Sequence, residues 1–142
     1  MHWGILFYTD DGGALYLLQD GGTLLTGSWR VDKQLQLWDF RSEKLLENVP
    51  WRTGVSLAQP CMVYAAQFSK DEGSTMIAAG GSGANEAKVF DRSSPPPGGP
   101  AAFGMASGLS RACYSVDFSN ASNALAVAGG DGFVRVLNIH MP

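Results

Sequence analysis

The sequence predicts an all-β protein built from three successive copies of one strand pattern. Each copy ends in an apolar residue followed by a small polar one: Trp38-Asp39, Phe90-Asp91 and Leu137-Asn138. These closing pairs lie roughly 50 residues apart, a spacing typical of repeat architectures made of small sheets. The 18 glycines and 7 prolines among 142 residues favour short strands joined by tight turns.

The first repeat, residues 14–51, begins with an apolar strand over residues 14–18. An Asp20-Gly21 pair follows, and an Asp-Gly pair between two apolar runs predicts a hairpin because both residues tolerate positive φ. Leucine then alternates with glutamine over residues 34–37, as in a strand with one buried face. Residues 44–49 supply a fourth, outer strand, and we expect a loop over residues 52–60.

The second repeat, residues 61–107, and the third, residues 112–142, share a register in their first strands. Three identical pairs come into phase there: Tyr64 with Tyr114, Phe68 with Phe118, and Ser69 with Ser119. Residues 93–100 form a Pro-rich loop that cannot join a ladder, since proline lacks a donor N–H. This loop is either a plain surface connection or a ligand for an aromatic-lined groove. The third repeat lacks an outer strand, and residues 1–13 contain a spare apolar one.

Charge and composition exclude several functional classes. The net charge is −3 and the ten basic residues are scattered, which argues against nucleic-acid binding. No apolar stretch approaches the roughly 20 residues that span a bilayer, and no basic segment precedes the first apolar run as in a secretory signal. We interpret Cys61 and Cys113 as buried small apolar residues, with a disulfide as the alternative. An intracellular, cytoplasmic protein is expected.

The residues that could carry out chemistry are few. His2 and His140 stand at the two ends of the sequence, and two cysteines with two histidines give no zinc-binding spacing. The glycine-rich run over residues 80–85 precedes a strand and not a helix, so it predicts a turn and not a nucleotide site. We therefore predict no catalytic, cofactor or metal site. Gln67 and Asp117 are the only polar candidates for an enzyme within such a fold.

The whole pattern resembles the WD-repeat (Trp-Asp repeat) β-propeller family over residues 14–140. Trp38-Asp39 matches the pair that names the family, and Asp32 and Asp131 stand where the family places a turn aspartate. The sequence has no Gly-His dipeptide, so the buried hydrogen-bonded network of the family is incomplete. Ser28, Asp32 and Trp38 keep part of that network, or Asp32 simply caps its own turn.

The resemblance implies a partial propeller of about three four-stranded blades, whereas closed rings typically have about four to eight. We expect that this chain alone does not close the ring. Three explanations stay open. The chain is a fragment or short product of a larger propeller protein, it pairs with itself or another partial propeller, or the repeat count is misread.

The function implied by the resemblance is a non-enzymatic protein-interaction scaffold, because the family commonly receives partners on loops between second and third strands. The candidate partner-binding residues on those loops are Trp29, Arg30, Asn85 and Glu86. The alternative for Trp29 is that its ring packs over its own turn. The alternative function is a structural subunit that docks by exposed blade edges into a larger assembly, such as a cytoskeletal one. The expected partners are other proteins, including a second copy, and neither nucleic acid nor membrane.

Overall fold

The all-β class is confirmed. A computed structural model describes residues 14–17 as backbone and residues 22–51, 61–93, 95 and 99–140 in full, and these residues form three antiparallel sheets without a helix. The predicted spare strand in residues 1–13 and the predicted loop over residues 52–60 lie outside the described residues.

Within each sheet, consecutive strands pair antiparallel in chain order, so each sheet is a simple meander. The first sheet consists of β1 (Ala14–Leu17), β2 (Thr23–Gly27), β3 (Leu35–Asp39) and β4 (Lys44–Val49). The second consists of β5 (Met62–Phe68), β6 (Met76–Ser82), β7 (Ala87–Asp91) and β8 (Ala101–Ala106). The third consists of β9 (Cys113–Phe118), β10 (Ala124–Gly129) and β11 (Val134–Asn138), with no fourth strand among the described residues.

The ladders of the three sheets repeat the same register. The second and third strands pair at equivalent points: Leu24 with Trp38, Ile77 with Phe90, and Leu125 with Leu137. The serine after each of the strands β5 and β9 then closes its hairpin through its side chain. Ser69 Oγ accepts the Met76 N–H at 2.9 Å, and Ser119 Oγ accepts the Ala124 N–H at 3.1 Å. Short polar side chains favour such local bonds to the backbone, which is why both strands end there.

Consecutive sheets pack face to face and enclose two apolar cores. One core joins the first sheet to the second, and the other joins the second to the third. The first strands β1, β5 and β9 lie side by side in chain order. The sheets are therefore stacked as successive units about their first strands.

Polar contacts tie the second and third sheets together along these inner strands. Gln67 Oε1 accepts the Phe118 N–H at 2.9 Å, and Ser122 Oγ accepts the Lys70 N–H at 2.8 Å. The Lys70 ammonium also lies 2.8 Å from Asp117 Oδ1. Gln67 and Asp117, the two polar candidates for catalysis, thus both take part in the contact between sheets.

The interface between these sheets is close enough to require a glycine. A Cβ at Gly80 would lie 2.9 Å from the Cβ of Cys113 and closer still to its Sγ. Cys61 and Cys113 are both fully buried in the apolar cores, which confirms their interpretation as buried small apolar residues. Burial raises the pKa of Cys113 to about 11.

Candidate functional site: an exposed aromatic row

Three aromatic side chains form a row that crosses from the first sheet to the third. The Trp29 ring, in the β2–β3 loop, meets Tyr64 of β5 with centroids 5.4 Å apart and planes at 85°. Tyr64 in turn contacts Tyr114 of β9 at 5.6 Å and 37°. Trp29 is 46% exposed and Tyr114 60% exposed, with Tyr64 half-buried between them. We call Trp29, Tyr64 and Tyr114 the aromatic row.

The two tyrosines of the row occupy the same irregularity in their strands. In the second sheet Val63 pairs with Gly81 and Ala65 with Gly80, so Tyr64 is left without a partner across the ladder. Tyr114 is skipped in the same way, between Cys113 and Ser115. An extra residue of this kind bends its strand and re-aims its side chain. The repeated bulge therefore places both rings on one side of the molecule.

Small residues and polar groups hold these rings in place. A Cβ at Gly130 would lie 2.7 Å from Cε2 of Tyr114, so any other residue would require that ring to shift from its position in the row. The Ser82 hydroxyl donates a hydrogen bond to Tyr64 Oη at 3.0 Å. The same Gly130 position is flanked by Arg111, whose side chain is exposed. The row is thus bordered by a basic residue at its third-sheet end.

Arg30 borders the row at the opposite end. Its guanidinium donates to Ser28 Oγ at 3.1 Å, to the Lys33 carbonyl at 3.1 Å and to Gln36 Oε1 at 2.7 Å. These bonds fix the loop that carries Trp29, while Arg30 stays exposed to solvent. An exposed aromatic row with a fixed arginine beside it has the composition of binding hot spots.

The four predicted partner-binding residues lie on two loops, with Trp29 and Arg30 between β2 and β3 and Asn85 and Glu86 between β6 and β7. Trp29 packs across the sheet boundary onto Tyr64 and stays partly exposed, and Arg30 lies beside it. Asn85 is half-buried in the β6–β7 loop with φ of 48°, a left-handed conformation that asparagine tolerates. Glu86 is buried and bonded within the fold, so we leave it out of the candidate surface.

Glu86 belongs to a buried cluster that joins the first two sheets. Its Oε1 accepts the indole N–H of Trp51 at 2.7 Å and lies 3.3 Å from the Lys88 ammonium. Lys88 also donates to the Trp51 carbonyl at 2.8 Å and lies 5.2 Å from the centre of the Trp51 ring. The buried Glu86 carboxylate and the partly buried Lys88 ammonium therefore each have an opposite charge and a hydrogen-bond partner.

The two turn aspartates of the repeats behave differently from each other. Asp131 accepts the Phe133 N–H at 3.2 Å and pairs with Arg135 at 2.8 Å, and the hydrogen bond from Arg135 lowers its pKa. Asp32 is exposed. The Trp38 indole N–H is bonded to Thr26 Oγ1 at 3.2 Å.

No family model matches the sequence, and no curated protein matches it. Across the described part of the chain, no three His, Cys, Asp or Glu side chains gather as metal ligands would. The same residues include no helix long and apolar enough to cross a membrane.

Sequence reasoning missed Tyr64 and Tyr114 as site residues. Their shared register was visible in the alignment of the second and third repeats, but that alignment indicated only a repeat. The signal that could have found them is two aromatic residues in phase on strands whose hairpin partners end near paired glycines, Gly80-Gly81 and Gly129-Gly130.

Proposed function

We propose that this chain is a WD-repeat-like β-propeller segment that serves as a non-enzymatic scaffold for protein–protein interaction. The observation that carries the proposal is the aromatic row, because it joins one ring from each of the three repeats into one surface whose two outer rings are exposed. Tyrosine, tryptophan and arginine are the residue types most enriched where binding energy concentrates.

The architecture supports this proposal. Radial repetition of four-stranded antiparallel units, each placing its first strand beside the next, is how propellers are built. The two complete meanders and the third, three-stranded one follow that plan through their side-by-side strands β1, β5 and β9. A scaffold of this kind presents loops and strand ends from one side of every unit to a partner.

The chemistry of the row suggests the kind of segment that it would bind. Its three rings offer apolar area at low conformational cost, since each has few rotatable bonds. Arg30, next to Trp29 in the chain, and Arg111, whose Cβ lies beside Gly130 and Tyr114, are exposed basic residues at its two ends. We therefore propose that the partner segment carries an apolar or aromatic residue flanked by acidic ones.

A displayed library of short peptides tests the proposal. We expect selection on the wild-type chain to enrich sequences with an apolar residue beside Asp or Glu. Selection on a Trp29→Ala, Tyr114→Ala double variant is expected to lose this enrichment. The matched control is Phe40→Ala with Arg41→Ala, another exposed aromatic and arginine pair, located after β3 and away from the row. Equal enrichment on all three proteins would contradict the proposal.

One observation favours the alternative function of an assembly subunit. The third sheet leaves Phe133, Val134 and Val136 exposed around its last strand. Exposed apolar strands of this kind promote association. A chain that is soluble only with a partner would favour the assembly subunit, whereas a well-behaved isolated chain with a free aromatic row would favour the scaffold.

An intracellular location is also part of the proposal. A buried thiol outside any disulfide, as at Cys113, suits a reducing compartment. Fusion to a fluorescent protein and microscopy would test it, and secretion of the fusion would contradict it.

A further inference from the structure

Each sheet has two faces that can be followed from repeat to repeat. We call the face that points along the chain toward the next sheet the forward face, and the opposite one the back face. Equivalent forward-face positions follow from the strand pairing, with Leu25, Leu35 and Leu37 in the first sheet, Ala78, Ala87 and Val89 in the second, and Ala126, Val134 and Val136 in the third.

The forward faces of the first two sheets are covered within the chain. Val89 is 6% exposed and Ala87 is 1% exposed, because the third sheet lies on them. The equivalent residues of the third sheet are Val136, 70% exposed, and Val134, 69% exposed. The same positions are thus apolar in all three sheets, but uncovered in the last.

The back faces show the complementary pattern. Ile77 and Phe90 are fully buried against the first sheet, and Leu125 is buried against the second. The equivalent pair in the first sheet, Leu24 and Trp38, is only half-buried. Leu45, which pairs with Trp38 across the ladder, is 42% exposed. The back face of the first sheet therefore carries the apolar Leu24, Trp38 and Leu45 beside the polar Thr26 and Gln36, and no other sheet of this chain covers it among the described residues.

We propose that a second copy of this chain covers the forward face of the third sheet with the back face of its own first sheet. The two open faces are the register equivalents of the faces that already pack together twice within the chain. Packing of these two faces would repeat the interface that already joins consecutive sheets within the chain. Leu24 and Trp38 of one copy would then lie over Val134 and Val136 of the other. The inference rests on the repeat architecture proposed above, but not on peptide binding by the aromatic row.

This contact is heterologous, because different surfaces of the two copies meet. Contacts of this type close into rings when the rotation between copies allows it. Two copies supply six sheets, which lies within the range of about four to eight blades found in closed propellers. In such a dimer each copy covers both open faces of the other at once.

Light scattering on the purified chain measures the association directly. The wild-type protein is expected at twice the single-chain mass of 15.1 kDa. Val136→Asp on the forward face and Leu45→Asp on the back face are each expected to reduce this to the single-chain mass, since a carboxylate would be buried in the contact. Val31→Asp is the matched control, because Val31 is 76% exposed on the β2–β3 loop and lies on neither open face.

Mixing the two monomeric variants separates this contact from any other. Each mixed pair retains one undamaged forward face opposite one undamaged back face, so the two-chain mass is expected to return at higher protein concentration. That recovery also shows that both variants are folded. A monomeric wild type, a dimer that persists in both variants, or a mixture that stays monomeric would each overturn the proposal. Because mass and peptide selection are separate readouts, either proposal can fail without the other.

Discussion

Trp29 and Tyr64 meet edge to face across the boundary between the first two sheets, with ring centroids 5.4 Å apart. The contact joins a loop of one repeat to a bulged strand of the next. On its other side, Tyr64 contacts Tyr114 of the third repeat. A candidate binding surface is thereby assembled from residues that are far apart in sequence, and its middle ring also stabilises the fold.

Replacing that middle ring should cost measurable stability. Aromatic pairs contribute about 0.5–1.5 kcal/mol each beyond area burial, and Tyr64 makes two of them. We expect Tyr64→Leu to lower the free energy of unfolding by about 2 kcal/mol in urea titrations. Tyr64→Phe keeps both ring contacts and loses only the bond from Ser82, so it should cost about 1 kcal/mol. An equal loss in the two variants would argue against the ring contacts.

The buried cluster around Glu86 should be sensitive to loss of its carboxylate. Glu86→Ala would leave the Lys88 ammonium, whose side chain is only 12% exposed, without its counter-charge and the Trp51 indole without its acceptor. Breaking one side of a buried ion pair typically costs about 3–5 kcal/mol, so we expect a loss near the lower end. The exposed Glu72→Ala is the control and should be near neutral. A Glu86→Ala variant as stable as the control would contradict the structural role assigned to this residue.

The close approach of the second and third sheets predicts opposite outcomes for two glycines. At Gly80 an added methyl would overlap Cys113, and we expect Gly80→Ala to destabilise the chain by about 1–3 kcal/mol. At Gly104 the nearest atom to an added Cβ is the Cβ of Val89 at 3.8 Å, which is an ordinary van der Waals contact. Gly104→Ala should therefore be neutral or stabilising by up to about 1 kcal/mol. Thermal melting of both variants measures the difference, and identical shifts would rule out the overlap.

Asp71 should make stability depend on pH in acid. Burial raises the pKa of this carboxyl, but the Thr75 N–H, which donates to Oδ2 at 3.0 Å, and the nearby Ser69 hydroxyl outweigh it, so the pKa is lowered from 3.8. The folded state thus favours the charged form. This contribution is present above pH 3.8 and is lost as the pH falls through the lower folded-state value. Urea unfolding from about pH 5 to about pH 2 should show a shallower acid loss in Asp71→Asn than in the wild type. An unchanged slope would show that Asp71 does not contribute to the acid dependence of stability.

Much of the fold could be predicted from short-range signals. The alternation of Leu35 and Leu37 with glutamines, and the serines that follow Phe68 and Phe118, specify local strands and hairpins that tertiary packing then preserves. These features depend on neighbours within one repeat. The resulting three sheets accordingly follow the predicted pattern of strands.

The candidate site was harder to predict because it depends on contacts between repeats. Glu86 lies on a loop, and nothing near it in sequence indicates that Trp51, 35 residues earlier, buries it. Tyr64 and Tyr114 reach the surface through bulges, and a bulge depends on the pairing of two strands and not on one. Trp29 was identified from composition alone, whereas its spatial neighbour Tyr64 was not identified at all.

The most direct test of the scaffold proposal is calorimetric titration of a peptide selected on the wild-type chain. We expect the Trp29→Ala, Tyr114→Ala double variant to bind at least about 30-fold more weakly, since a loss of about 2 kcal/mol is typical of hot-spot residues. The Phe40→Ala, Arg41→Ala control should bind within about twofold of the wild type. Equal affinity of the double variant and the wild type would contradict the claim that the aromatic row is the partner-binding surface.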